Sequence, residues 1–376
     1  MREYIKTIVS IDWLMFFSAL FVSLAGLVTM SSFVGQNPFF EKQILWIVIS
    51  VIIFFVFSLF DFRFLRRTEV VVGLFLLSCL VLLLLFITGS IFQGAQSWFN
   101  FGFFTFQPSD PIKLVVVLLL AKYFTRRHVE IAHIKHIFIS AAYVSIIFLL
   151  VFLQPDFGSA IIILGIWFGM VLVSGISKKH LFLVLGLGLL SMAILWTFVF
   201  HDYQKQRIIT FISPLTDIQG AGYNAYQSTI AVGSGEFLGK GIGFGTQSKL
   251  SFLPEYHTDF IFAAFAEEWG FVGVIFLFLL YSLLFYRIVN LSFHGAGNFE
   301  TLFGLGVAVL FASHFIIHVG MNVGLLPVTG TTIPFMSYGG SHLLTEFMAI
   351  GILSGMSRYK RTVHRDVLSK GDITLG

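Results

Sequence analysis

Charge is what this sequence lacks most. Only 11% of its 376 residues are Asp, Glu, Lys or Arg, against about 25% in ordinary soluble domains, so its surface could not hold it in water. Cysteine is nearly absent too, and the single Cys79 excludes an intramolecular disulfide framework or a cysteine zinc site. The net charge of +4 is too small and too scattered to suggest nucleic acid as a partner. What is there instead suits lipid. Hydrophobic residues make up 57% of the chain and Phe alone occurs 47 times, which also excludes intrinsic disorder.

A hydrocarbon core about 30 Å thick needs about 20 apolar residues per helix. Ten runs of that kind fall near 12–33, 43–60, 69–89, 111–124, 136–153, 157–175, 181–200, 260–287, 301–324 and 342–358. They are continuously apolar and do not alternate, so they predict helices and not the strands of an outer-membrane barrel. The fourth run is short and opens at Pro111, a residue suited to a first helical turn. Basic residues favour cytoplasmic loops. Seventeen Lys and Arg fall on the side of the termini, against Lys42, Lys205, Arg207, Lys240 and Lys249 on the other, with Lys113 inside the membrane. Both termini are expected in the cytoplasm, and the first run reads as a retained helix and not a signal peptide.

One connection, residues 201–259, is too long to be a simple loop. Its aromatics, among them Tyr203, Phe211, Tyr223, Tyr226 and Phe252, suggest docking onto the membrane body. The polar residues that resist the hydrophobic pattern gather on the outer side: Trp98, Gln107, Asp110, Lys113, Gln154, Asp156, Lys240, Glu255, His257, Asp259, Glu267, Glu268 and the turn Ser337-Tyr338-Gly339-Gly340-Ser341. An ionisable group inside a span costs at least ~2.5 kcal/mol on insertion scales, so it is paired or faces a cavity. Lys113 lies one helical turn after Asp110, which allows either a local ion pair or a ligand contact. Asp259 stands just before the eighth run, where it reads most simply as a helix N-cap and otherwise as a functional carboxylate. Glu267 falls about 80° around and about 12 Å along the helix from it, so Glu267 or Glu268 could line the same cavity. His314 and His318 have metal-sharing spacing but no zincin Glu and no obvious third ligand, so buried hydrogen bonding is the better reading. The Gly233–Gly241 stretch lacks the Walker spacing, yet its glycines with Lys240 would suit a pyrophosphate cradle.

Five segments together resemble the SEDS family of RodA, FtsW and SpoVE. They are Gly94-Ala95-Gln96-Ser97-Trp98, Gln107-Pro108-Ser109-Asp110, Gln154-Pro155-Asp156-Phe157-Gly158, Leu253 to Glu268, and Pro334-Phe335-Met336-Ser337-Tyr338-Gly339-Gly340-Ser341. Their order and spacing match along nearly the whole chain. His201 to Arg207, Gly245-Thr246-Gln247-Ser248 and Gly324 to Gly330 are similar to the RodA branch. The resemblance implies an all-α polytopic membrane protein of ten transmembrane helices. It would form one domain over 1–376, with a long extracellular loop at about 201–259 and a cytoplasmic tail at about 359–376.

The implied activity is that of a peptidoglycan glycosyltransferase polymerising lipid II at the outer face of the bacterial cytoplasmic membrane. It would act in cell elongation and shape maintenance, with a class B penicillin-binding protein and the elongation machinery as partners. The family's essential carboxylate falls on Asp259, expected as an inverting general base, and the tryptophan of its first external loop falls on Trp98. Lys113, Arg207, Lys240, Glu255, Glu267 and Ser337 complete the expected substrate-binding set. A divalent cation, Mg or Mn, would suit a pyrophosphate leaving group, but no metal ligands are assigned. Three positions depart from the family's usual residues: Ser97 stands for Arg, Asp110 for Glu and His342 for Ser. Serine cannot replace a bidentate guanidinium. The rival readings are a lipid-linked precursor flippase, which needs the same groove but no base, and a secondary transporter, which lacks its expected inverted repeat here.

Overall fold

The computed structural model describes residues 11–32, 38–92, 95–102, 104–125, 134–200, 202–213, 221–250, 252–253 and 255–371. Each of the ten apolar runs is helical: α1 (Trp13–Ser31), α2 (Pro38–Leu59), α3 (Thr68–Thr88), α4 (Ser109–Thr125), α5 (Ile134–Phe152), α6 (Phe157–Val173) and α7 (Lys178–Ile194), then α11 (Ile261–Phe293), α12 (Asn298–Asn322) and α13 (Gly340–Gly371). Among the described residues, seven of these are long and apolar enough to cross a membrane. Of the other three, α4 and α6 have 17 residues each, and α13 has polar residues through its last turns. The described residues of the long connection are largely helical. It holds α8 (Asp202–Ile212), α9 (Ala221–Ser234) and one short turn, α10 (Thr246–Lys249).

Between α3 and α4 lies a small antiparallel sheet in the order β1 (Ser90–Phe92), β2 (Ala95–Asn100), β3 (Thr105–Phe106). Ser90 faces Trp98 and Phe99 faces Phe106 across it. The helical core is centred on α12, which packs on α4, α6 and α11, while α2 lies along α13 and α1 along α11. Small residues allow the close crossings. Gly165 and Gly169, one turn apart on α6, face Ser313 and Val309 on α12, the small-xxx-small spacing that brings membrane helices together. Large apolar side chains such as Leu76, Leu83, Phe276 and Leu279 point outward and stay exposed, as expected where the surrounding solvent is hydrocarbon. No residue of α7 is buried.

The eighth run is not one continuous helix, contrary to its apolar pattern. Gly270 in α11 has φ 63° and ψ −167°, a conformation essentially restricted to glycine. The break strands backbone groups on both sides of it, and the Gly235–Gly241 segment satisfies them. The amides of Lys240 and Gly241 donate to the carbonyls of Glu267 and Glu268, each at 3.0 Å. The amides of Phe271 and Val272 donate to the carbonyls of Glu236 and Phe237, at 3.0 and 3.2 Å. A Cβ on Gly270 would collide with the backbone of Gly239, and one on Gly239 with the Glu268 carbonyl. Glycine is required on both chains at this junction.

Gly270→Ala should therefore lower the melting temperature in detergent by an amount equivalent to about 1–3 kcal/mol of backbone strain. Gly188→Ala, where an added methyl meets nothing within 4 Å, should leave it unchanged or slightly raised. Equal melting temperatures for the two variants would show that the break is not held by glycine.

Candidate functional site

The segment that delivers Asp259 is a tight turn built on one carbonyl. Glu255 has φ 48°, and its carbonyl oxygen accepts from the amides of Thr258, Asp259 and Phe260 at 3.1, 3.0 and 3.2 Å. Its side chain is 40% exposed, and the carboxylate lies 3.3 Å from the Thr258 hydroxyl and 3.7 Å from His257 Nε2. Asp259 follows immediately and α11 begins after Phe260, whose position carries no side-chain cap. The capping reading of Asp259 is thus corrected: the amide of Ala263 is taken by Asn322 Oδ1 at 3.2 Å, and the Asp259 carboxylate lies beside Gly330, where a Cβ would stand 3.4 Å from Oδ2. Gly330 itself takes φ 71°, a backbone conformation that favours glycine.

The turn is strapped down from the opposite segment. The Tyr338 amide donates to the His257 carbonyl at 2.9 Å, and Ser337 Oγ donates to the Thr258 carbonyl at 2.8 Å while accepting from the Ile333 amide at 3.0 Å. Ser337 is 1% exposed. Its expected substrate contact is therefore corrected to a structural tie, because its hydroxyl is committed to two backbone partners. His257 stacks on Phe39 with ring centroids 3.9 Å apart. Burial holds its imidazole below the ordinary range, against the raising influence of Glu255.

Next to this strap lies a buried charged cluster. Lys113 Nζ meets Asp110 Oδ1 at 3.1 Å, both side chains at most 5% exposed, so the ion-pair reading of that spacing is the one the fold realises. The other Asp110 oxygen accepts from Ser341 Oγ at 2.9 Å. His342 lies 3.7 Å from Asp110 and 2.8 Å from Glu346, with Thr332 Oγ1 2.8 Å from its Nε2. Glu346 in turn accepts from the Phe335 amide at 2.7 Å. Four carboxylate and imidazole contacts thus bind α4, α13 and the 331–338 segment into one unit. His314 and His318 of α12 lie against the same segment, with Nδ1 atoms 3.1 and 2.7 Å from the Thr332 and Thr331 carbonyls. They are hydrogen-bonding histidines, as their spacing without a third ligand suggested.

Glu267 and Lys240 are placed differently from expectation. Glu267 is fully buried, and its carboxylate accepts from Lys240 Nζ at 2.7 Å, from the Thr246 and Gln247 amides at 2.8 and 3.1 Å, and from Thr246 Oγ1 at 3.0 Å. Glu268 accepts from Ser32 Oγ at 2.5 Å and from the Gly243 amide at 3.1 Å. Both glutamates clasp the connection and do not line a cavity with Asp259. Lys240 neutralises Glu267, the amides of Lys240 and Gly241 are spent on α11, and those of Gly235 and Gly239 on their own segment, which leaves these donors committed to the protein and not to a pyrophosphate. Both expected substrate contacts are corrected for the same reason: the break at Gly270 consumes these donors and acceptors.

Trp98 is half-buried in β2, beside a buried Ser97. The backbone of Arg207 lies in α8, and its side chain falls outside the described residues. Sequence reasoning missed one pairing although it saw both partners: the two Gln-Pro motifs meet, with Gln107 Nε2 donating to Asp156 Oδ2 at 2.9 Å. Among the described residues no three His, Cys, Asp or Glu side chains assemble into a metal site, and Glu267 and Glu346 are already occupied by protein donors. The donor set does not fit a resident divalent cation.

Glu267→Gln should lower the melting temperature, since hydrogen bonds to a charged group contribute about 1.5–3 kcal/mol, and should speed proteolysis within 240–250. Lipid II binding by the folded fraction should not change. Weakened binding at an unchanged melting temperature would instead restore a ligand contact.

Residues 5–362 match the FtsW/RodA/SpoVE family model, described as "Cell cycle protein". The chain is 39% identical over 282 residues to the peptidoglycan glycosyltransferase MrdB of Escherichia coli K12, covering 75% of each chain. It is 35% identical over 324 residues to the stage V sporulation protein E of Bacillus subtilis 168, covering 86% of this chain and 88% of that one. Among solved structures, a chain from a peptidoglycan synthase complex that coordinates polymerization and crosslinking superposes with a TM-score of 0.80 at 28% identity, covering 93% of this chain and 98% of that one. The rod shape determining protein RodA of Thermus thermophilus superposes with a TM-score of 0.70 at 27% identity, covering 93% and 97%. Sequence and fold agree along nearly the whole length, and the chain belongs to the FtsW/RodA/SpoVE family.

Proposed function

We propose that this chain is a RodA-like peptidoglycan glycosyltransferase, a multi-pass membrane enzyme that polymerises lipid II into glycan strands, with Asp259 as general base. The observation that carries the assignment of the base is the place of Asp259, directly before α11 with its Oδ2 facing Gly330. In the proposed step the acceptor hydroxyl gives its proton to Asp259 as its oxygen bonds to the donor's anomeric carbon. The bond from that carbon to the pyrophosphate oxygen breaks, and the polyprenyl pyrophosphate leaves with the electron pair. One displacement inverts the anomeric centre, so no protein nucleophile is needed.

The polyprenyl tail requires an apolar groove. A cavity of about 410 Å³ lined by Trp46, Ile49, Phe104, Phe106, Leu344 and Ser341 supports that requirement, and Ser341 joins it to the Asp110 cluster. Lys113 and Lys240 are each committed to a carboxylate, so we assign Arg207 to the anionic head, with Glu255 and Trp98 as further substrate contacts near the acceptor. Among the described residues no ligand set for a divalent cation assembles, and none enters the proposed step. The excess of Lys and Arg on the side of the termini supports cytoplasmic termini and an outward-facing site. A class B penicillin-binding protein is the proposed partner, consistent with the crosslinking complex in which the structural neighbour occurs.

Asp259→Asn keeps the side-chain size but cannot accept a proton at neutral pH. Polymer formation from lipid II by the purified, folded variant with its transpeptidase should fall by about 10²–10⁴. Near wild-type polymer yield would sink the base assignment and return the flippase reading.

A further inference from the structure

Two residues other than glycine take positive φ in the facing segments of the site, Glu255 at 48° and Phe335 at 63°. A bulky side chain is rarely found there, and such a conformation persists only where the surroundings over-determine it, as they do at active sites. At Phe335 the determinants are buried polar side chains from two helices. Its amide donates to Glu346 Oε2 of α13 at 2.7 Å, and the preceding Pro334 carbonyl accepts from the Tyr281 hydroxyl of α11. Tyr281 and Glu346 are at most 3% exposed. His342 lies 2.8 Å from the other Glu346 oxygen and also reaches Thr332 Oγ1. The Phe335 ring is fully buried against Phe311 and Phe347. Two and three residues further on, Ser337 and Tyr338 hold the carbonyls of Thr258 and His257 in the Asp259 turn.

We propose that Glu346 is a positioning residue for glycosyl transfer: with Tyr281 it holds Phe335 in its left-handed conformation, so that Ser337 and Tyr338 meet the turn that carries Asp259. The inference rests on Asp259 being the base, and it concerns the main chain of that turn. Without an acceptor at 346 the Phe335 amide is left buried and unpaired, and nothing on that side opposes rotation of φ to the ordinary negative range. Such a rotation redirects the chain two residues before Ser337. Glutamine at 346 keeps a carbonyl oxygen for the amide and therefore keeps the conformation, whereas alanine does not. The acceptor, and not the charge, is what the position supplies to the reaction.

The test compares Glu346→Ala, Glu346→Gln, Tyr281→Phe, Ser337→Ala and Asp259→Asn, each purified with the partner transpeptidase, measuring polymer formation over a range of lipid II concentrations together with the melting temperature. Glu346→Ala should lower kcat of the folded fraction by about 10- to 100-fold, the cost of a catalytic group misplaced by about 1 Å, with KM for lipid II little changed. Glu346→Gln should recover most of that rate. Tyr281→Phe, which removes one hydroxyl, should lower kcat by about three- to tenfold, as expected for one hydrogen bond. Added to Glu346→Ala, Ser337→Ala should cause less than its own separate loss, because both act through the same segment. Wild-type kcat in Glu346→Ala, no recovery in Glu346→Gln, or a double variant whose losses add in full would overturn the positioning role while Asp259→Asn stays inactive. If Glu346→Ala fails to fold, unchanged kcat in Tyr281→Phe overturns it. Full activity in Asp259→Asn would remove the underlying base assignment instead.

Discussion

Inside an apolar bundle, a helix that breaks leaves amides and carbonyls that no water can reach, each costing several kcal/mol unless the protein itself supplies a partner. At Gly270 the partner is the Gly235–Gly241 segment, whose amides and carbonyls replace the missing helical bonds. That single exchange organises the rest of the site. It fixes where the long connection enters the bundle, recruits Glu267 and Glu268 as clasps for residues 240–247, and leaves only the first two turns of α11 to present Asp259. Lys240 is held in the same clasp, so its charge stabilises architecture and is not available as a ligand for anionic substrate.

The charges of the buried Asp110 cluster are also partnered from within the protein. Ion pairs in low dielectric offset their desolvation only when further hydrogen bonds complete them, and the Asp110 cluster is completed from three elements. Two departures from the family's usual residues meet there. Asp110 is shorter by one methylene than the expected Glu, and His342 is longer than the expected Ser. The imidazole lies between Asp110 and Glu346 and spans the gap. The two positions are far apart in sequence and lie side by side in space. Ser97, the third departure, is buried in β2, and nothing in the structure explains the loss of an arginine there.

Much of the fold was legible in the sequence because the membrane imposes it locally. A run of apolar residues of sufficient length must be helical, whatever its neighbours are, since no other open backbone satisfies its own hydrogen bonds in lipid. Most ends of the ten runs and their helices agree to within a few residues for that reason, with the fourth starting at Ser109 and not at Pro111, while α11 runs on to Phe293 and α13 to Gly371. The break in α11 was not legible. Gly270 lies within the eighth apolar run, just after Glu267 and Glu268, and its non-helical conformation depends on a partner segment about thirty residues away.

The candidate site divides along the same line. The sequence by itself placed Asp259 at the mouth of a span and Lys113 one turn from Asp110, because both are statements about neighbours along one helix. It left open whether Asp259 caps that helix and whether Glu267, Lys240 and Ser337 meet a ligand, since each has a chemistry that serves either purpose. Only the tertiary structure decided. Asn322 arrives from α12 to take the cap, the connection arrives to occupy Glu267, and the Thr258 carbonyl arrives to occupy Ser337. A polar group's role in hydrocarbon depends on which donors and acceptors lie within about 3 Å of it, and those are set by chain crossings that no local pattern encodes.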